Sequence, residues 1–250
     1  MSTVEHIRNI ASAAAAALAA KDVRLGLGYT AVRTEDDNIG LAFTFRNVWD
    51  GGCRVLQRLR PLAGRPVKDL IALSGAANTQ ESALGLAAAN AVLNRSRPEL
   101  LSGDLLDHLR LQPSDRVGMV GYFAPLLPKL RTLVAQVAIF ELADREPPPE
   151  GLRPAGEALQ ELPRCQAALL TATALVNGTL DELLVACQGL REVAILGAST
   201  PLCPEAFAGT PVTLLSGVIV TEPEKLLGVV SEGGGTRAFK GLVRKVNRRV

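Results

Sequence analysis

The sequence predicts a two-part protein: an α+β domain over residues 1–110, followed by an α/β domain over residues 111–250 whose sheet is mainly parallel. Two observations predict this class. In the first part, strand-like segments stand between alanine-rich helical segments. In the second part, short apolar runs alternate with helical patterns at intervals of about 20 to 30 residues, which is typical of parallel strands covered by helices on both faces.

The composition supplies the core that this class needs. Of the 250 residues, 48% are hydrophobic and 21% are charged, with a formal net charge of +2. Such a chain is expected to fold as a globular protein, and its near-neutral charge creates no general attraction to nucleic acid or to membranes. Four cysteines lie far apart without a CxxC pair, which argues against a disulfide framework or a zinc knuckle. We therefore expect a cytoplasmic protein.

The first domain is predicted from four segments. Residues 3–22 are rich in alanine, the best helix former. Residues 23–34 and 38–47 are predicted to form the two strands of a hairpin, joined by a polar turn. Residues 65–73 and 79–94 predict two further helices, the second of which has Asn78 at its N-cap and Glu81 at the capping-box position.

The second domain is predicted from five apolar runs, each placed at a strand of a Rossmann-like sheet. The runs are VGMVGYF, QVAIFEL, QAALLTATALV, EVAILG and VTLLSGVIV. The basic C-terminal segment GLVRKVNRRV follows them. It is consistent with a solvated terminal strand or a frayed end, and alternatively with a basic arm that recruits a partner.

The loop after the first of these strands resembles a dinucleotide site only in part. Gly118 and Gly121 are present, but the third glycine of the usual fingerprint is missing, and Pro125 removes a backbone donor that a phosphate would use. Glu141 ends the second strand about 20 residues after Gly121, where the ribose-binding acid of such folds lies. An enzyme that uses NAD or S-adenosylmethionine is therefore retained as an alternative.

Polar side chains also follow the third predicted strand. Thr173 lies at the strand end, Asn177 stands in an Asn-Gly turn, and Thr179 is predicted to cap the next helix with Glu182 as its capping-box partner. Because ligands of open α/β sheets bind outside the carboxyl ends of the strands, these residues are candidates for a small-molecule site.

The loop after the fourth strand carries a second group of candidates. Ser199 and Thr200 precede Pro201, which is predicted to lie in a first helical turn. Cys203 lies in the same loop, where a helix N-terminus would lower the thiol pKa and make it a soft metal ligand or a nucleophile. The alternative for Cys203 is a buried structural thiol. No familiar catalytic motif is present in the sequence.

Several of these motifs together resemble a family of uncharacterised proteins named for heavy-metal chelation. The similarity is carried by DRVGMVGYFAPLLPKL, TATALVNGTLDELL and ILGASTPLCPEAFAGTPVTLLSGVIV, and upstream by GLAFT and ESALGLAAANAVLN. It covers nearly the whole chain. The resemblance implies an N-terminal domain similar to the capping domain of enolase, a Rossmann-like C-terminal domain and a ligand site in the cleft between them.

The resemblance also implies which residues line that cleft: Gly121, Tyr122, Phe123, Asn177, Thr179, Ser199, Thr200 and Pro201, with Thr44 and Asn90 from the other side. The expected function is to bind or process a small anionic molecule, such as a heavy-metal chelate or its precursor. Because the sequence has only two histidines and no clustered cysteines, the small molecule is expected to provide most of the metal coordination. The alanine-rich first helix and the low charge are compatible with a homodimer, and the oligomeric state is left open.

Overall fold

The structure is a computed structural model that describes residues 1–15, 17–45, 56–142 and 150–250. Cys53 and the last two residues of the second predicted strand lie outside these ranges. The α-helices are α1 Thr3–Ala14, α2 Val67–Ile71, α3 Thr79–Leu93, α4 Leu127–Leu133, α5 Ala158–Glu161, α6 Leu180–Ala186 and α7 Pro223–Ser231. No helix in the described ranges is both long and apolar enough to cross a membrane.

A three-stranded antiparallel sheet lies in the N-terminal part. Its strands are β1 Ala20–Leu25, β2 Tyr29–Thr34 and β3 Ile39–Phe43, in that order. The single strand predicted over residues 23–34 is therefore wrong, because the chain turns back between β1 and β2. The turn is tight: the Gly26 N–H donates to the Tyr29 carbonyl over 3.0 Å. A side chain at Gly26 would also meet the Val230 carbonyl of α7 at 2.2 Å.

Helix α3 packs against this small sheet and forms the centre of the first core. Its N-cap prediction is confirmed, since the Asn78 side chain accepts hydrogen bonds from the N–H groups of Gln80 and Glu81. Nearly all of the helix is buried, which its small residues permit. A Cβ at Gly40 of β3 would lie 2.1 Å from the Ala87 carbonyl, so glycine lets the strand and helix backbones approach closely.

The larger sheet follows in the C-terminal part. Its strands are β4 Arg116–Val120, β5 Gln136–Glu141, β6 Leu152–Pro154, β7 Ala167–Thr171, β8 Glu192–Leu196, β9 Leu214–Val220 and β10 Val243–Arg249. The order across the sheet is β10-β9-β8-β7-β4-β5-β6, with only β10 antiparallel to its neighbour. The five apolar strands are confirmed. The basic segment forms β10, and β6 was missed by the sequence analysis.

The order of chain connection reverses at β4. From β4 the chain moves to β5 and β6 on one side, then returns to build β7, β8 and β9 on the other side. The loops that follow β4 and β7 therefore run to opposite faces of the sheet and leave a crevice between them. This point of the sheet positions the candidate site.

Candidate functional site

A cavity of about 890 Å³ lies at the carboxyl ends of β4, β5 and β7. The small sheet contributes to one wall through Tyr29, Phe43 and the following Phe45. The polar side chains of the lining come mostly from the ends of β5 and β7, the segment after β7 and the start of α6: Glu141, Thr171, Thr173, Asn177, Thr179, Glu182 and, after α7, Thr236. The cavity therefore has an aromatic wall from the N-terminal part. Its floor, from the C-terminal part, combines these polar groups with apolar side chains such as Val120, Phe140 and Leu183.

The aromatic wall is ordered by edge-to-face packing. The rings of Tyr29 and Phe43 are 5.7 Å apart at 86°, and those of Phe43 and Phe45 are 5.1 Å apart at 87°. Tyr29 also packs on Phe239. Burial raises the pKa of Tyr29 above its ordinary value. Sequence reasoning missed these residues, because their approach to the strand ends depends on the packing of the two parts.

The first loop is held by its own hydrogen bonds. Gly121 has a φ of +91°, and its N–H donates to the Phe140 carbonyl over 2.8 Å. The Tyr122 N–H donates to Glu141 Oε2 over 3.1 Å, and the Leu142 N–H donates to Glu141 Oε1 over 2.8 Å. The Glu141 carboxylate thus joins the ends of β4 and β5 at the floor of the cavity.

The loop after β7 brings a second set of polar groups to the cavity. Thr171 and Thr173 share a hydrogen bond of 3.0 Å between their hydroxyls. Asn177 Oδ1 accepts from both the N–H and the hydroxyl of Thr179, at 3.3 and 2.8 Å. The prediction that the Thr179 side chain caps α6 is wrong, because that hydroxyl donates to Asn177 and makes no capping bond. The Asn177 amide nitrogen makes no hydrogen bond within the described part of the chain and is available to a ligand.

The structure brings seven of the predicted site residues to the cavity lining: Gly121, Tyr122, Phe123, Glu141, Thr173, Asn177 and Thr179. Their contact with a ligand stays a prediction. The other predicted residues lie away from this lining: Ser199, Thr200, Pro201, Thr44, Asn90 and Cys203.

Two of those remaining residues, Ser199 and Asn90, join the two parts of the molecule. Ser199 Oγ accepts the Phe43 N–H at 2.9 Å. Asn90 Nδ2 donates to the Leu41 carbonyl and to the Ser199 carbonyl, at 2.8 and 2.9 Å. Thr44 is buried and shares a 3.0 Å hydrogen bond with Thr30. The loop after β8 is therefore sealed against the small sheet and α3.

Two further predictions for this sealed loop are corrected. Pro201 does not start a helical turn, since the next turn is the 3-10 helix Pro204–Phe207. Cys203 is 3% exposed and its thiol donates to Glu205 Oε2 over 3.2 Å. Burial, and then the bond to Glu205, raise the pKa of Cys203 to about 11, which is opposite to the expected lowering. Within the described residues no group of three or more His, Cys, Asp or Glu side chains is arranged to hold a metal ion.

Two solved structures have a fold similar to that of this chain. A crystal structure of a protein of unknown function from Pyrococcus horikoshii is similar, with a TM-score of 0.87 and 24% identity over 100% of both chains. A second, from Desulfitobacterium hafniense, has a TM-score of 0.80 and 22% identity, over 98% of this chain and 99% of that one. Both are described as DUF364 family proteins, and they share the mixed α/β fold. No curated protein matches the chain.

The chain itself belongs to the DUF364 family. Residues 104–249 match the DUF364 model and residues 7–93 match the DUF4213 model, each of which carries the description "Putative heavy-metal chelation". The resemblance stated from the sequence motifs is thereby confirmed.

Proposed function

We propose that the protein binds a small organic molecule, free or as its metal chelate, in the cavity at the carboxyl ends of β4, β5 and β7. One observation carries this proposal: the cavity lies where the strand order reverses, which is where ligands of open α/β sheets bind. The order β6-β5-β4-β7-β8-β9 also supports a Rossmann-like assignment of the large sheet. An enolase-like assignment of the small sheet and its helices rests on the family resemblance.

The charge of the lining indicates which ligand charge the cavity favours. Glu141 and Glu182 contribute carboxylates, whereas no Lys, Arg or His of the described residues lines the cavity. This balance favours a neutral or cationic ligand over the small anion expected from the sequence. A metal bound here would take most of its coordination from the small molecule, with hydroxyl and amide oxygens such as those of Thr173 and Asn177 as additional hard ligands.

The test is a native mass spectrum of the protein purified anaerobically from its own host, together with metal analysis of the same sample. We expect an organic mass, with or without a metal, on the wild type. Thr173→Val and Asn177→Ala should reduce its occupancy while leaving the unfolding midpoint within the error of the wild type. Full occupancy in both variants would show that the ligand binds elsewhere.

A second candidate function is an enzyme that uses a nucleoside-type cofactor, NAD or S-adenosylmethionine. It is favoured by Glu141, which ends the second strand of the parallel sheet and lines the cavity, as a ribose-binding acid would. Equilibrium dialysis against each cofactor tests it. Binding that is weakened by Glu141→Gln supports this function, and no binding of either cofactor at millimolar concentration rejects it.

A further inference from the structure

The backbone of the first loop has little capacity left to bind an anion. In dinucleotide folds, free N–H groups of this loop and of the next helical turn hold the pyrophosphate. Here the Gly121 N–H donates to the Phe140 carbonyl and the Tyr122 N–H donates to Glu141. The two amides that first follow β4 are thus committed to the protein itself.

The next helical turn also offers few backbone N–H groups to an anion. Pro125 and Pro128 have no N–H group. The N–H groups of Leu126 and Leu127 donate to carbonyls of the same turn, those of Phe123 and Ala124. Of the eight residues from 121 to 128, six therefore offer no backbone donor to a ligand.

The Glu141 carboxylate makes this region unfavourable for phosphate in a second way. Its Oε2 lies 3.1 Å from the Tyr122 nitrogen, the position that a phosphate oxygen would take in a dinucleotide site. A bound phosphate would have to displace that carboxylate or lie beside it, and two negative groups at such a distance repel each other. Glu141 is fixed there by its second bond to the Leu142 N–H.

We infer that the cavity selects ligands without a phosphate group and that Glu141 determines this specificity. The inference rests on the proposed function and narrows it: the ligand carries no phosphate, so nucleosides remain candidates and phosphorylated nucleotides such as NAD do not. Within the second candidate function, it favours S-adenosylmethionine, which has no phosphate, over NAD.

The test compares probes that differ by one phosphate: adenosine with adenosine 5′-monophosphate, nicotinamide riboside with its mononucleotide, and thiamine with thiamine monophosphate. Binding of each pair is measured by isothermal titration calorimetry, and phosphorus is measured on protein purified from its host. We expect at least about tenfold tighter binding of the unphosphorylated member of any pair that binds, and less than one phosphorus atom per ten chains. Glu141→Gln should reduce the discrimination to about threefold or less, because the amide carries no charge; its one oxygen can accept the Tyr122 N–H, while the Leu142 N–H loses its acceptor.

Glu232→Gln is the matched control, since it removes one carboxylate from the end of α7, outside the cavity lining. It should keep the full discrimination. Equal or tighter binding of a phosphorylated member by the wild type, or a phosphorylated mass on the purified protein, would overturn the inference while leaving a small-molecule cavity in place. Failure of every probe to bind, together with a wild type that carries no organic mass, would count against the proposed function itself.

Discussion

Two groups of loops at the same edge of the large sheet differ in their surroundings: one borders the cavity and the other is buried. The loops after β4, β5 and β7 border the cavity, whereas the loop after β8 is buried under α3 and β3. Both groups carry hydroxyl residues directly after an apolar strand, and the sequence predicts a ligand site in both. In the first group Asn177 keeps a donor for a ligand, but in the second the Ser199 hydroxyl and carbonyl are both bound to the protein.

The difference shows that polar strand ends form a site only where the covering element leaves space. At β8 the side chains of Asn90 and Asn94 reach across and bind the Ser199 and Thr200 carbonyls and the Leu202 N–H of the loop. The buried Thr200 hydroxyl makes no hydrogen bond within the described residues. At β4 and β7 the covering residues are the rings of Tyr29, Phe43 and Phe45, which have few hydrogen-bonding groups of their own. Among the polar groups of these loops, the Asn177 amide nitrogen is left available to a ligand.

The largest expected effect concerns Cys203 in the sealed loop. Because its pKa is raised to about 11, the thiol should react with iodoacetamide at pH 8 about 200-fold more slowly than a free cysteine. Since the folded pKa lies above that of the unfolded chain, Cys203 contributes stability below about pH 8.5 that is lost as the pH rises towards 11. Peptide mapping of alkylated protein across pH 7–11 measures this. Half-maximal reactivity near pH 8 would contradict the sealed loop.

The next largest effect is expected for Asn90, whose side chain bonds both β3 and the loop after β8. Asn90→Ala removes both side-chain hydrogen bonds to Leu41 and Ser199 and leaves a small void, which should lower the free energy of unfolding by about 2–3 kcal/mol. Asn177→Ala, on the open side, should cost less than about 0.5 kcal/mol. Urea unfolding of the two variants compares the sides directly. Equal losses would contradict the division into a sealed and an open loop.

Gly121→Ala tests how closely the loop after β4 packs against the end of β7 beside the cavity. The new Cβ would lie 2.9 Å from the Thr171 Cβ, at a φ of +91°. We expect a loss of about 2 kcal/mol, of which about half is the cost of the left-handed backbone. Gly178→Ala is the matched control, with a φ of +78° and nothing within 4 Å of the new Cβ. Thermal unfolding of both variants separates backbone strain from crowding. Identical losses of stability in the two variants would show that crowding against Thr171 makes no contribution.

The smallest effect is expected for Ser199→Ala. The variant loses the 2.9 Å hydrogen bond from the Phe43 N–H and should cost about 1 kcal/mol. Since Phe43 also lines the cavity, occupancy by the retained ligand should fall modestly. Ser96→Ala provides a control, because within the described ranges the Ser96 hydroxyl bonds only the exposed Arg244. A change of stability as small as in that control would show that the Ser199 bond does not hold β3 in place.

The sequence predicts the large sheet well because its central strands are buried on both faces and read as continuous apolar runs. β6 escapes prediction because it has three residues, one of them a proline. The division of residues 23–34 into β1 and β2 is a local turn closed between Gly26 and Tyr29. Gly26 and Gly28 are a turn signal that the single predicted strand overlooked.

The same distinction holds for the site. Gly121, Glu141 and Asn177 follow strands at places that local patterns mark, so the sequence places them correctly at one edge of the sheet. Tyr29 and Phe43 look like ordinary strand residues, and only the packing of the small sheet brings them to the cavity. Ser199 carries the same local pattern as Thr173, and the covering helix α3 decides that it is buried.

The most direct measurement compares native mass spectra of three proteins purified from the same host. Glu182→Trp places a large ring in the cavity lining, and Val185→Trp places the same ring on α6 at a position that is 71% exposed and outside the lining. We expect one organic ligand mass on the wild type and on Val185→Trp, and its loss from Glu182→Trp. A wild type without any ligand, or equal occupancy in Glu182→Trp, would contradict the assignment of the cavity as the functional site.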